Sequence, residues 1–281
     1  MTEARETSVN APSGIWRGLV RAGAVLPAGM LVDPPAVLTA AGAKVLRDKK
    51  NMIVDLPDAA GAGWIVRLYR PRGVHSVVRN SVMVSKEHNA FTFALEYERR
   101  GVPTAPALAI LERYAKGLFK ESVLVTQKIP SHTLRECLEA ADAAGGSGKN
   151  AGKGRRAWLR AFAGFVRRCH ERGVYHLDLN PGNVLVPLAH ATPADAAFVL
   201  VDVNRTIFGK PFVARLVVQD LMRIGASPEE RSFVMRAYAA DAKEYARLRR
   251  TVNRLRALHD TRKRLNRSLG VKKALQALKI R

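Results

Sequence analysis

Apolar and polar positions come in short runs through the first third of the chain, and later at three- and four-residue intervals. Lys44-Val-Leu-Arg-Asp-Lys, Asn51-Met-Ile-Val-Asp-Leu and Gly63-Trp-Ile-Val-Arg-Leu-Tyr are β-prone segments broken by polar or Gly-containing turns, which predicts successive antiparallel strands. Pro71 and Gly73 end the third. Ser85 can cap a helix that runs through Ala90, Phe93, Ala94 and Tyr97 to Gly101. Val123 to Pro130 reads as a further strand entering a turn, followed by a short helix from Thr133 to Ala141. Ala143 to Arg156, rich in Gly, Lys and Ala, has little to bury and reads as a mobile surface loop. Between Trp158 and Gly173 a helix directs Leu159, Phe162, Phe165, Val166 and Cys169 inward and keeps Arg160, Arg167 and Arg168 wet. β-runs at Asn183 to Val186 and Phe198 to Val203 follow, and the chain is helical from about Phe212.

This order predicts an α+β, two-lobed protein-kinase-like fold with nucleotide between the lobes. Residues 41–130 would form a small antiparallel-sheet N-lobe and residues 131–244 a mainly helical C-lobe. Residues 1–40 read as an N-terminal extension, and residues 245–281 as a basic amphipathic helical tail.

With 281 residues, 47% of them hydrophobic, the chain can bury a sizeable core. Its polar, acidic start has no signal-peptide pattern, which predicts a protein that stays in the cytoplasm. The best candidate for a span, Ala194 to Val203, contains Asp195 and Asp202, so a membrane would be met at its surface only. Cys137 and Cys169 are read as reduced thiols. Lys and Arg outnumber Asp and Glu 47 to 24, and this +23 balance favours polyanionic partners. Nucleic acid ranks last among them, because no zinc-ligand spacing, aromatic strand motif or helix-turn-helix pattern accompanies the charge.

Candidate chemistry lies in His176-Leu-Asp178-Leu-Asn180-Pro-Gly-Asn183. Pro181-Gly182 can fold the loop so that the Asp178 carboxylate and the Asn183 amide face one cavity. Phosphoryl transfer needs that pairing: a carboxylate to align and deprotonate an acceptor hydroxyl, and an amide oxygen for Mg2+ on the phosphates. Asp202, closing the Phe198-Val-Leu-Val run, is the second metal-ligand candidate. His176 reads as a structural histidine holding the bend. An Asx-turn, a satisfied turn or a helix cap would explain each residue singly; their joint order favours a kinase-like centre.

Tyr175 to Val186, together with Phe198-Val-Leu-Val-Asp-Val-Asn-Arg205, resembles the bacterial lipopolysaccharide kinase family. Trp64-Ile-Val-Arg-Leu-Tyr-Arg70, Glu98-Arg-Arg-Gly-Val-Pro103 and Val218-Gln-Asp220-Leu-Met-Arg-Ile extend that resemblance over about Lys44 to Ala239. The family phosphorylates heptose or Kdo sugars of the inner core on the cytoplasmic face of the Gram-negative inner membrane. The resemblance implies ATP and Mg2+ as cofactors, Asp178 as catalytic carboxylate, Asn183 and Asp202 as metal ligands, and Asp220 as a buried brace. It also implies an anionic glycolipid or sugar acceptor.

Two departures stand out. Arg67 occupies the strand position where this fold usually presents Lys to the phosphates, and a planar guanidinium does not replace a compact ammonium neutrally. Its helix partner would be Glu87, with Glu96 the alternative. No Gly-x-Gly-x-x-Gly joins the first strands; Lys49 or Lys50 would have to substitute by charge. Gln127, Lys128 and Ile129 are expected to meet adenine, mainly through backbone groups.

In the tail, Leu248, Val252, Leu255 and Leu258 form a stripe with Arg249, Arg250, Arg254 and Arg256 largely outside it. Such a helix either packs on the C-lobe or lies on an anionic membrane. Kinases of soluble or protein acceptors, a nucleotide-binding pseudokinase or scaffold, and a monomer or homodimer all stay open at this point.

Overall fold

The computed structural model describes residues 3–39, 42–48, 51–58, 63–144 and 152–268. A seven-stranded antiparallel sheet forms the small lobe. Its strands are β1 (Ala4–Ala11), β2 (Gly14–Arg21), β3 (Lys44–Asp48), β4 (Asn51–Leu56), β5 (Trp64–Tyr69), β6 (Ala107–Ala115) and β7 (Leu118–Gln127). They lie in the spatial order β1-β2-β6-β7-β5-β4-β3. The reading of residues 1–40 as an extension is therefore corrected, because β1 and β2 are strands of this sheet. Trp16 is fully buried among Val54, Val66 and Leu111, so the hairpin completes the lobe's core. Gly18 lets β2 lie against β6: a Cβ there would sit 1.8 Å from the Ile110 carbonyl oxygen.

Two helices, α1 (Val74–Val82) and α2 (Lys86–Arg99), connect β5 to β6. Ser85 caps α2, its Oγ accepting from the His88 amide at 3.0 Å. The buried face of α2 carries Ala90, Phe91 and Ala94 against Ile110 of β6 and Leu124 of β7.

The large lobe contains β8 (Ser131–Thr133), α3 (Leu134–Ala144), α4 (Lys153–Glu171), β9 (Val174–Tyr175), β10 (Val184–Pro187), β11 (Val199–Leu200) and β12 (Ile207–Phe208). Helices α5 (Ala214–Leu221), α6 (Pro228–Tyr238) and α7 (Ala242–Ser268) follow. α4 buries the predicted Leu159, Phe162, Phe165, Val166 and Cys169 face in the main core. Burial pushes the Cys169 thiol up to about 12, which leaves it an inert packing group. The Ala143 to Arg156 loop is shortened at both ends, since α3 runs to Ala144 and α4 begins at Lys153. Residues 145–151, like Lys49 and Lys50, lie outside the described residues.

Of the two dispositions open to the tail, the structure takes packing on the lobe. Leu248 and Val252 are buried and Leu255 is half-buried against that core, whereas Leu258 and the neighbouring arginines are exposed. Residues 269–281 lie outside the described residues. No described helix is long and apolar enough to cross a membrane.

The lobes meet at β11. Thr104 Oγ1 donates to the Leu200 carbonyl at 2.7 Å, and the Leu200 amide donates to Pro103 O at 3.0 Å. Tyr97 of α2 bonds Thr206 hydroxyl to hydroxyl at 2.9 Å, while Phe208 stands edge-on to Phe93 and Tyr97. The segment beginning at Asp202 is thus pinned to both lobes.

Candidate active site

A cleft of about 410 Å³ opens between the lobes. Leu46 and Ile53 of the β3–β4 hairpin, Ile65 and Leu124 of the sheet, and Leu185 and Val201 of the large lobe give it apolar walls. Gln127, Lys128 and Ile129 line it, as expected, at the junction of β7 with the large lobe. The Lys128 ammonium also donates to Asp55 Oδ2 at 2.7 Å, tying the hairpin to that junction, a pair the sequence did not reveal. Arg67 and Asp202 supply the charged end. Asp178 and Asn183 are not among the lining residues, contrary to the expectation that both face this cavity; the Asn183 carbonyl accepts from the lining Val201, and Asp178 is tied to Asn183.

The loop from His176 to Asn183 is braced from beneath. Asp220, fully buried on α5, accepts from the amides of His176 (3.0 Å) and Leu177 (2.6 Å), and contacts His170 Nε2 at 3.1 Å. These bonds hold Leu177 at φ +61°, a left-handed conformation that costs a branched residue about 1–3 kcal/mol. The bend leaves Asp178 half-buried beyond it. Asn180 caps the Pro181–Asn183 turn, its Oδ1 accepting from the Gly182 amide at 3.0 Å. The Asn183 amide donates to Asp178 O at 2.9 Å, closing the loop on itself.

His176 links this loop to the strand beside it. Its Nε2–H donates to Val201 O at 3.1 Å, and its Nδ1 accepts from the Asp178 amide at 3.2 Å. The bond accepted at Nδ1 requires the neutral ring, with its proton on Nε2. Burial accordingly pushes the imidazole below its ordinary 6.5, against the opposing pull of Asp220. An unfolded chain takes up this proton near pH 6.5 and the folded one does not, so the contribution is complete above that pH and is lost as pH falls below it. Thermal melts should therefore show a lower Tm at about pH 5.5 than at about pH 7.5, and His176→Asn should flatten that slope. An unchanged slope in the variant would remove His176 from this role.

Asp202 also has a left-handed backbone, at φ +60°. Its Oδ1 accepts from Arg67 Nη1 at 3.0 Å and from Asn204 Nδ2 at 3.2 Å. Arg67 thus reaches the cleft from β5, with its buried Nε lacking a hydrogen-bond partner among the described residues. Glu87 is buried on the first turn of α2, and Arg67 is the chief charge opposing the burial that raises its carboxyl. No direct Arg67–Glu87 ion pair forms, and Glu87 Oε2 has no hydrogen-bond partner among the described residues. Glu96 is engaged elsewhere, by Arg99 and Arg100 at 2.6 Å, which hold it down at about 2.

The sequence suggested no role for Arg205 and Arg223, although both lie within the quoted motifs. Arg223 Nη1 donates to Asp178 Oδ1, and Arg205 Nη1 stands 3.6 Å from Asp178 Oδ2. The carboxylate is thereby held between two guanidinium groups.

This donor set fits a phosphate-bound hard cation. Asn183 Nδ2 donates to Asp178 O, its amide oxygen takes no hydrogen bond among the described residues, and Val201 N–H donates to Asn183 O at 3.0 Å, so Asn183 pairs with the residue beside Asp202. One carboxylate and one amide oxygen suit Mg2+, which keeps water and substrate phosphates as its other ligands. No group of three or more His, Cys, Asp or Glu side chains is arranged to hold a metal ion by itself among the described residues. The unspent Arg67 donor suits an anionic phosphate.

Comparison with known proteins agrees with this architecture. A solved structure of WaaP in complex with acyl carrier protein matches with TM-score 0.50 at 19% identity, covering 80% of this chain and 93% of that one. The likeness shows a two-lobed, protein-kinase-like fold. The BubR1 kinase domain matches at TM-score 0.43 and 13% identity, over 64% of this chain and 60% of that chain. A cyclin-dependent kinase F-1 of Oryza sativa subsp. japonica is 31% identical over 133 residues, 45% of this chain; the chain spans about a quarter (26%) of that relative's length. The model of the lipopolysaccharide kinase (Kdo/WaaP) family matches residues 51–245. On a match covering more than half its length, the chain belongs to the lipopolysaccharide kinase (Kdo/WaaP) family.

Proposed function

We propose that the protein transfers the γ-phosphoryl group of ATP to a sugar hydroxyl of the lipopolysaccharide inner core, heptose or Kdo, or of a related envelope glycan, working at the cytoplasmic side of the membrane. The observation that carries this reading is the hydrogen-bonded joint between the His176–Asn183 loop and the end of β11, through His176 Nε2 to Val201 O and Val201 N to Asn183 O. The joint supports the reading because it ties the loop that carries Asp178 and Asn183 to the residue beside Asp202.

Adenine would enter the apolar slot beside Gln127, Lys128 and Ile129. Asn183 and Asp202 would hold Mg2+, which when bound neutralises phosphate charge. Arg67 would turn from Asp202 to the phosphates, with Glu87 as the carboxylate opposing it. Asp178 would accept the acceptor's proton as its oxygen bonds to the γ-phosphorus and the bond to the bridging oxygen of ADP breaks. Arg205 and Arg223 orient the Asp178 carboxylate. His176 and Asp220 would support the loop without touching substrate.

The Arg67–Asp202 contact favours a second reading, in which the protein binds nucleotide as a scaffold and the guanidinium occupies the cation's place. One experiment separates the two. Purified protein with γ-labelled ATP and Mg2+ should label extracted lipopolysaccharide in preference to free sugars or proteins, and chelation of the metal should stop it. Absence of Mg2+-dependent transfer to every acceptor class would leave the scaffold.

A further inference from the structure

Helix α1 is amphipathic in the reverse sense. Two of its polar residues face the sheet: Asn80 is buried and its Nδ2 donates to Tyr69 Oη at 3.2 Å. Ser81 Oγ accepts from the Phe119 amide at 2.8 Å. Three of its four valines face out, and Val77 is half-buried. Val74 is 80%, Val78 50% and Val82 83% exposed, four residues apart on one side of the helix, and Met83 and Val84 (each 57%) continue the strip. Single exposed apolar residues are ordinary, but an uninterrupted strip of five is not. Valine is also a mediocre helix former, so neither helix propensity nor core packing accounts for these residues.

The rim of the strip restricts what covers it. From Gly63 to Lys86 the chain has no Asp or Glu, while Arg79 and Lys86 are exposed beside the valines. A second copy would bring like charge against like. So would residues 269–281, which contain Lys272, Lys273, Lys279 and Arg281 and no acid. An anionic lipid surface accepts both the apolar strip and its cationic border. The expected alternative, α7, has given most of its apolar stripe to the lobe core.

We propose that α1, continued by Met83 and Val84, is an interfacial membrane-binding element that inserts its valine strip among the acyl chains and sets Arg79 and Lys86 at the anionic headgroups. None of these residues lines the cleft, so the contact stands independently of the phosphotransfer chemistry.

Co-sedimentation of the full chain with sucrose-loaded vesicles tests this, comparing phosphatidylcholine alone with phosphatidylcholine containing about 30 mol % phosphatidylglycerol. The wild type should partition onto the anionic vesicles, and the triple variant V74Q/V78Q/V82Q should do so about tenfold more weakly. Glutamine propagates a helix at least as well as valine, so an unchanged Tm should confirm that the variant folds. R79E/K86E should lose affinity for the anionic vesicles only. The two native cysteines are buried, so V78C can be labelled with bimane, whose emission should shift blue on vesicle binding. Wild-type partitioning by the triple variant, or sedimentation with the probe still in water, would overturn the assignment. So would a failure of the wild type to bind, or a blue shift produced without vesicles by self-association or by a protein partner.

Discussion

Asp178→Asn should reduce phosphoryl transfer by about 10²–10⁴-fold while leaving nucleotide affinity and Tm nearly unchanged. The substitution keeps the side chain's shape, and the new amide oxygen can still accept from Arg223. The fold therefore loses less than about 1 kcal/mol. The chemistry loses about 3–5 kcal/mol of transition-state stabilisation, because an amide cannot receive the acceptor's proton. Single-turnover transfer and nucleotide titration calorimetry separate the two quantities. Normal turnover in this variant would take Asp178 out of the reaction, and a matching loss of nucleotide affinity would relocate it to the phosphate site.

The second large effect falls on stability. Asp220→Ala should destabilise the protein by about 3–5 kcal/mol, read from the urea midpoint. The fully buried carboxylate receives two backbone amides and a buried histidine, and alanine offers none of them an acceptor. Each stranded donor costs about 1–3 kcal/mol. The same bonds hold Leu177 in its left-handed conformation, so transfer should fall together with stability as the loop relaxes. Asp220→Asn, which keeps one acceptor oxygen, should sit between wild type and the alanine variant. A loss below about 1 kcal/mol for the alanine variant would show that the loop holds its bend by other means.

Legibility in the sequence follows locality. Strands β3, β4 and β5 carry alternating or β-branched runs between turn residues, and α2 carries both a Ser85 cap and a periodic face, so each declares itself within a few residues. β6 did not. Its Ala-Leu-Ala-Ile-Leu run fits a buried helix as well as a buried strand, and only pairing with β2 and β7 decides it. The hairpin of β1 and β2 was missed for a related reason. Its polar outer positions resemble a solvated extension until Trp16 and Val20 find the sheet's core. α1 was hidden because its pattern is inverted, with valines outside and Asn80 inside.

For the site, His176, Asp178, Asn183 and Asp202 were legible because the motif places them within one loop and one strand end. Asp220 was legible from the family resemblance alone. The guanidinium groups of Arg205 and Arg223 were not, since their meeting with Asp178 joins residues 27 and 45 positions apart. Glu87 was named as partner for Arg67, yet Arg67 bonds to Asp202, 135 residues away. Charge in the sequence shows that a partner is needed; it does not choose among carboxylates brought close by the fold.

The amino-acid sequence alone determined the two-lobe order, which candidate residues share one loop, and the basic charge, because each depends on neighbours along the chain. The tertiary structure decided which carboxylate Arg67 bonds, what holds Asp178, and which apolar strip is left exposed after α7 has packed. Those outcomes depend on distance in space and on competition for burial, and neither is encoded in local spacing.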